Sequence, residues 1–278
     1  MAESGSTPRS QQPHRLTRRP LWQRALVWLL YLVIYQLLYL LVDQDILLAS
    51  PAQILSSLVR MHREPGFYYA AAATLGRIVL GFIAGMTTGT VLAILTVRFE
   101  LAKMMLLPII QGIRATPIAS FIILALVWIQ GSRVPVFIVF LMVVPIVWAN
   151  ISEGIQHIDH DLLEMVHAFR LPFSRRLRLL YIPSVAPYFL SAAVSGLGFA
   201  WKAGISAEVL STPLFSLGGR IYESKIYLET ADLFALTIVV IVLSVLLEKG
   251  FMKLIQRISR HFHLPVFLAE RNVRGRAD

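Results

Sequence analysis

Long apolar segments separated by short polar gaps run through the chain, and this pattern limits its fold more than any other feature. The segments lie at Leu21–Val42, within Tyr68–Val97, at Met104–Ile129, at Val134–Ile151, at about Pro187–Leu210 and at Ala231–Leu247. Each is near the ~20 residues that a helix needs to cross a hydrocarbon core about 30 Å thick. Composition agrees, with 56% of residues hydrophobic and 15% charged, where a soluble domain sits nearer half and a quarter. A water-soluble single-domain enzyme is thereby excluded. The expected fold is all-α: a polytopic membrane protein with six transmembrane helices. The first segment is longer than the apolar core of a signal peptide and no small-residue cleavage site follows it, so it is expected to remain as a helix. The absence of cysteine excludes a disulfide scaffold, a thiolate metal site, an iron–sulfur cluster and a cysteine nucleophile.

The charges divide the chain into three parts: a basic tail at 1–20, a transmembrane domain at 21–247, and a second basic tail at 248–278. With the N-terminus inside, eighteen of the 26 Lys and Arg fall in the tails and the gaps on that side, and six on the other, with Arg77 and Arg114 inside spans. Positive charge collects on the cytoplasmic side of membrane proteins, so both termini are expected in the cytoplasm. The same asymmetry accounts for the net charge of +10 without nucleic acid as a partner. Gly81, Gly85 and Gly89 in the second segment, and Ala192, Gly196, Ala200 and Gly204 in the fifth, repeat at four-residue spacing. Small residues on one face let helix backbones approach closely, which is the main source of packing energy between helices in lipid.

The gap between the fourth and fifth segments, residues 152–184, is longer than a membrane connection requires. Asp161 followed by Glu164 is a capping pattern that predicts a helix start. Leu162, Leu163, Val166 and Phe169 then share one face of a short amphipathic helix. Pro172 closes it, and a second, basic helix over Ser174–Tyr181 leads through Pro183 into the fifth segment. A helix–turn–helix hanging from a membrane bundle is a surface for a partner.

In this loop the sequence resembles the permease subunits of type I ATP-binding-cassette importers, in the branch that takes up sulfonates, taurine, nitrate and thiamine precursors. The signature of that family is Glu-Ala-Ala, three residues, Gly, nine residues, then Ile-x-Leu-Pro. Its aligned positions here are Glu164-Met165-Val166, Arg170 and Leu180-Tyr181-Ile182-Pro183, with the spacing kept and Arg170 standing where the family has glycine. The resemblance extends to Ser50-Pro51 ahead of Ile54-Leu55, to Arg114–Pro117 through Leu126–Gly131, and to Ala200–Lys202 through Ala207–Leu210. It implies a multi-pass subunit of a bacterial inner membrane. Two copies, as a homodimer, would form the pathway for a small, anionic solute, delivered by an extracytoplasmic binding protein and driven by two separate ATPase subunits. It also implies that Asp161, Leu162, Leu163, Glu164, Val166, Phe169, Arg170 and Pro183 dock on the ATPase. This chain has no G-x-x-x-x-G-K-[ST] phosphate loop, so ATP and Mg belong to the partner and no cofactor is expected here. The rival reading is an ion-coupled secondary carrier; a thiamine-precursor-like solute is the alternative within the family.

Ionisable residues inside apolar spans are costly unless paired or facing water. Arg114, Lys202 and Glu208 are therefore candidates to line the pathway, with Arg77 beside them. Counted along a straight helix from Lys103, Arg114 lies ~16 Å deep. The competing expectation is that these cations pair with Glu208 or Asp232, or bond carbonyls freed near Pro117. His157, His160 and His167 lack a carboxylate cage, and no metal site is expected. No G-x-S-x-G or H-E-x-x-H pattern marks a hydrolase.

Overall fold

The computed structural model describes residues 21–261, and within them every regular element is a helix. In chain order these are α1 (Leu21–Val42), α2 (Pro51–His62), α3 (Pro65–Arg98), α4 (Glu100–Ala115), α5 (Ile118–Trp128), α6 (Val134–Gln156), α7 (His160–Ala168), α8 (Phe173–Arg176), α9 (Ile182–Ser211), α10 (Leu217–Ile226) and α11 (Thr230–His261). A π-helical turn, Leu177–Tyr181, joins α8 to α9. The basic segments 1–20 and 262–278 lie outside the described residues.

Four stretches are long and apolar enough to cross a membrane: α3, α6, the continuous rod Phe173–Ser211, and Thr230–Arg257 of α11. The third expected span, Met104–Ile129, is not one helix. α4 and α5 meet at an angle of 108° and make a fifth candidate only as a bent pair. Pro117 explains the break, because its ring forces Thr116 into an extended conformation (φ −83°, ψ 134°) and it has no amide to continue the ladder. α1 forms with the expected bounds and is 22 residues long, near the ~20 that a span needs. Among the described residues the candidate spans thus number four, or five with the bent pair. α11 also runs without interruption through Glu248, so no break in the helix marks the start of the second tail.

α6 lies at the centre, between α3 and α9. A Cβ at Gly81, Gly85 or Gly89 of α3 would come within 2.6–2.7 Å of Val136 O, Val143 Cβ or Val147 Cβ of α6. On the other side, a Cβ at Gly204 of α9 would lie 3.1 Å from Val139 Cγ2 and 2.6 Å from Ile78 Cγ1 of α3. The valine ridge Val139, Val143 and Val147, wholly buried, thus sits between two small-residue stripes of matching period. Close backbone approach has its use here, within one chain. Trp148 Nε1 adds a polar cross-link by donating to Thr96 Oγ1 at 2.8 Å.

Two short helices were missed in the sequence gaps. α2 starts on Ser50, whose Oγ accepts from Gln53 N at 3.2 Å while Gln53 Oε1 accepts from Ser50 N at 2.7 Å, a reciprocal cap that satisfies two amides. α10 starts on Ser216, whose Oγ accepts from Gly219 N at 2.9 Å. Arg60 of α2 pairs with Asp232 of α11, and Arg220 of α10 with Glu64 at 3.2 Å. At 12 and 10 residues, with polar positions throughout, neither helix stands out by hydropathy.

Candidate functional site

Two constructions carry the residues singled out by the sequence, and the first is the hairpin between α6 and α9. α7 begins at His160 with Asp159 as its cap, two residues before the expected cap Asp161. Asp159 has the non-helical backbone of a cap (φ −57°, ψ 125°), and its Oδ1 accepts from Asp161 N at 2.9 Å. Glu164 does not reach back to the cap; it faces His160 Nδ1 at 3.3 Å, one turn away, and both side chains are exposed. The helix ends in a left-handed residue, Arg170, with φ 45°. Around it Arg170 N donates to His167 O at 3.0 Å and Leu171 N to Val166 O at 3.3 Å, the paired bonds that close a helix at such a residue. Arg170 therefore adopts the conformation for which glycine is the ordinary choice, at the position where the resemblance has glycine.

The faces of α7 diverge. Val166 is 3% exposed and packs with Ile158 and Leu180 in a small core of the hairpin. That burial takes Val166 out of any outward surface and makes it the support beneath one. Leu163 is half-buried on the same side. Leu162, Met165, Phe169 and Phe173 are exposed, Phe169 at 73%. Asp161, Glu164 and Arg170 are exposed around them. Pro183 lies half-buried in the first turn of α9. The expected second helix, Ser174–Tyr181, is no separate element: α8, the π turn and α9 form one rod of 39 residues. The ladder widens just before Pro183, which has no amide to donate, with Ile182 N reaching back to Leu177 O. Movement of the hairpin's second arm is thus mechanically continuous with α9.

The second construction is a buried polar node at the far end of α9. Glu208 has no exposed surface. Its carboxylate accepts from Arg77 Nη1 at 2.8 Å, Thr74 Oγ1 at 2.8 Å and Gly218 N at 3.2 Å. Thr74 Oγ1 in turn accepts from Leu217 N at 3.0 Å. The Arg77 guanidinium also donates to Leu214 O at 2.9 Å and Phe215 O at 3.2 Å. A Cβ on Gly218 would lie 2.4 Å from Glu208 Cβ, so the α10 backbone can reach the carboxylate only without a side chain there. The node ties α3, α9 and the loop before α10 together, and it satisfies a charge that would otherwise be prohibitive at membrane depth.

These contacts settle where the intramembrane charges go. Glu208 is sealed inside this chain, and its ion-pair partner is Arg77, not Lys202. Asp232 is taken by Arg60. Lys202 and Arg114 are exposed on the outer faces of α9 and α4, and among the described residues no carboxylate lies within ion-pair distance of either. Arg114 belongs to the last turn of α4, where Gly112 O accepts from Thr116 N at 3.1 Å and Thr116 Oγ1 at 2.8 Å. Its depth is set by this break rather than by a straight helix from Lys103. Thr74, one turn from Arg77 on α3, and Asp159 were missed. The Thr74-x-x-Arg77 spacing on one helical face was the available signal for the first.

With this geometry in hand, comparison with known proteins is direct. The family model for the binding-protein-dependent transport system inner membrane component matches residues 77–260, more than half of the chain. The chain belongs to that family. It is 26% identical over 162 residues to a bicarbonate transport system permease protein of Synechocystis sp., covering 58% of each. It is 24% identical over 187 residues to the protein of the same description from Synechococcus elongatus, covering 67% of each. It is 24% identical over 149 residues to a nitrate import permease protein of Leptolyngbya laminosa, covering 53% of each. The chain thus spans between about half and two thirds of the length of these relatives. The family and the apolar helices make it a multi-pass membrane protein, and the relatives fall in the nitrate-type branch expected from the sequence.

Proposed function

We propose that the chain forms, with a second copy of itself, the translocation pathway of an ATP-driven importer for a small oxyanion such as bicarbonate, nitrate or a sulfonate. The family match carries the importer part of this reading. The solute class is supported by the anions named for the relatives and by Arg114 and Lys202, two exposed cations with no acidic partner among the described residues. In this reading both termini are cytoplasmic in a bacterial inner membrane. An extracytoplasmic binding protein delivers the solute, and two ATPase subunits dock on the exposed apolar patch Leu162, Met165, Phe169 and Phe173. Closure of the ATPases moves α7, and the rod from Phe173 to Ser211 transmits the movement to the bundle.

Arg114→Gln and Lys202→Gln test the solute class. Each is expected to lower bicarbonate or nitrate uptake by reconstituted transporter several-fold while leaving ATPase co-purification intact, because neither lies in the hairpin. Uptake at the unaltered rate in both variants would contradict an anion pathway lined by these residues.

A further inference from the structure

A groove of about 1030 Å³ opens between the hairpin and the bundle, walled by the ends of α3 and α6, by the rod from Phe173 onward, and by Ile255 of α11. Its walls are mostly apolar, with Ile94, Val97, Tyr181, Val185 and Phe189 among them. Its polar residues include Arg98, which ends the membrane-spanning helix α3, Arg176 and His167. No acidic residue is among the described residues that line it. His167 Nδ1 donates to Leu163 O at 2.8 Å, but no ion pair is made by Arg98 or Arg176 among the described residues. Arg176 Nε is buried with no hydrogen-bond acceptor. A buried charged donor without an acceptor is an unfavourable arrangement, and a ligand that supplies the acceptor relieves it.

We propose that this groove is a binding site for an anionic phospholipid, its phosphodiester between Arg98 and Arg176 and its acyl chains along the apolar walls. Three features select a lipid over a soluble anion or a peptide. The lining is predominantly hydrocarbon, the cations stand at one end of a membrane-spanning helix, and the space is at the upper limit of ordinary ligand pockets. Basic pockets between transmembrane helices take lipid headgroups in this way. A lipid seated there would wedge the hairpin against α3, α6 and α9, so that membrane composition would bear on the position of α7.

The test uses the full chain in vesicles of equal phosphatidylcholine and phosphatidylglycerol, re-extracted in mild detergent, with retained lipid counted per chain by mass spectrometry. Phosphatidylglycerol is expected to be retained with roughly ten-fold or greater enrichment, the order of preference that two arginines in a basic pocket supply. Arg98→Gln with Arg176→Gln is expected to bring the ratio to unity. Ala186→Trp, which fills the apolar part, is expected to lower retention of both lipids with the arginines intact. Equal retention by the unaltered chain would overturn the proposal, as would enrichment that survives the double substitution. Retention that appears only after removal of residues 262–278 would also overturn it, since that segment would then be the occupant.

Discussion

Glu208 is surrounded on every side by protein, so the groups that hold its charge must be residues of the chain. Arg77, Thr74 and Gly218 N do so, at distances of 2.8–3.2 Å. Removing one member of a buried pair strands the other and costs about 3–5 kcal/mol. Arg77 keeps 17% exposure and two carbonyl acceptors, so Glu208→Gln is expected to cost ~3 kcal/mol, the lower end of that range, read as a lower thermal midpoint in detergent. Arg77→Gln combined with Glu208→Gln is expected to recover part of that loss, because residues in contact do not add. Lys202→Gln is expected to leave the midpoint unchanged. A loss in Lys202→Gln equal to that in Glu208→Gln would contradict the pairing. The sequence marks Arg77 and Glu208 individually as misplaced charges, but their pairing spans 131 residues of chain, and no local pattern encodes a contact made by tertiary packing.

Among the elements, α7 shows how local chemistry sets a boundary. The Asp-x-x-Glu pattern gives the right helix with the wrong cap, because Asp159 and Asp161 are both capable acceptors and only the backbone turn after Ile158 decides between them. Asp159→Ala is expected to destabilise the hairpin by ~1 kcal/mol. Arg170→Gly is expected to stabilise it by about 1 kcal/mol, since a residue with a Cβ in the left-handed region carries a penalty of that size. Amide exchange checks both: protection of the Arg170 and Leu171 amides should fall in the first variant and rise in the second. Faster exchange in Arg170→Gly would contradict the strain. The break between α4 and α5 was readable from Pro117 alone, but hydropathy, summed over both halves, reads Met104–Ile129 as one span. Hydropathy reports burial in lipid and is blind to direction. The small-residue periods of α3 and α9 were legible because a four-residue repeat of small side chains has few uses other than close helix packing, whereas the valine ridge of α6 that they enclose was not singled out.

At the scale of the whole molecule, the reading depends on which side of the membrane carries the hairpin. The chain has no cysteine, so single cysteines report topology cleanly. Those introduced at Ser10 and Ser259 are expected to label only from the cytoplasm, and one at Ser132 only from outside; external labelling of Ser10 in intact cells would reverse the orientation. The buried node and the exposed hairpin lie at opposite ends of the rod that contains α9, which suits a subunit that receives force at one end and holds its outer loops at the other. The central claim is that a partner's ATP hydrolysis moves this chain through Phe169 and its neighbours. The most direct measurement is bicarbonate and nitrate uptake into vesicles holding the chain with its ATPase and binding protein, with and without ATP, for the unaltered chain and for Phe169→Asp. Uptake should require ATP and should be lost in Phe169→Asp while the thermal midpoint stays the same, because a residue 73% exposed contributes little to the fold of the isolated chain. Uptake that proceeds on an ion gradient without ATP, or that survives Phe169→Asp at full rate, would contradict the account.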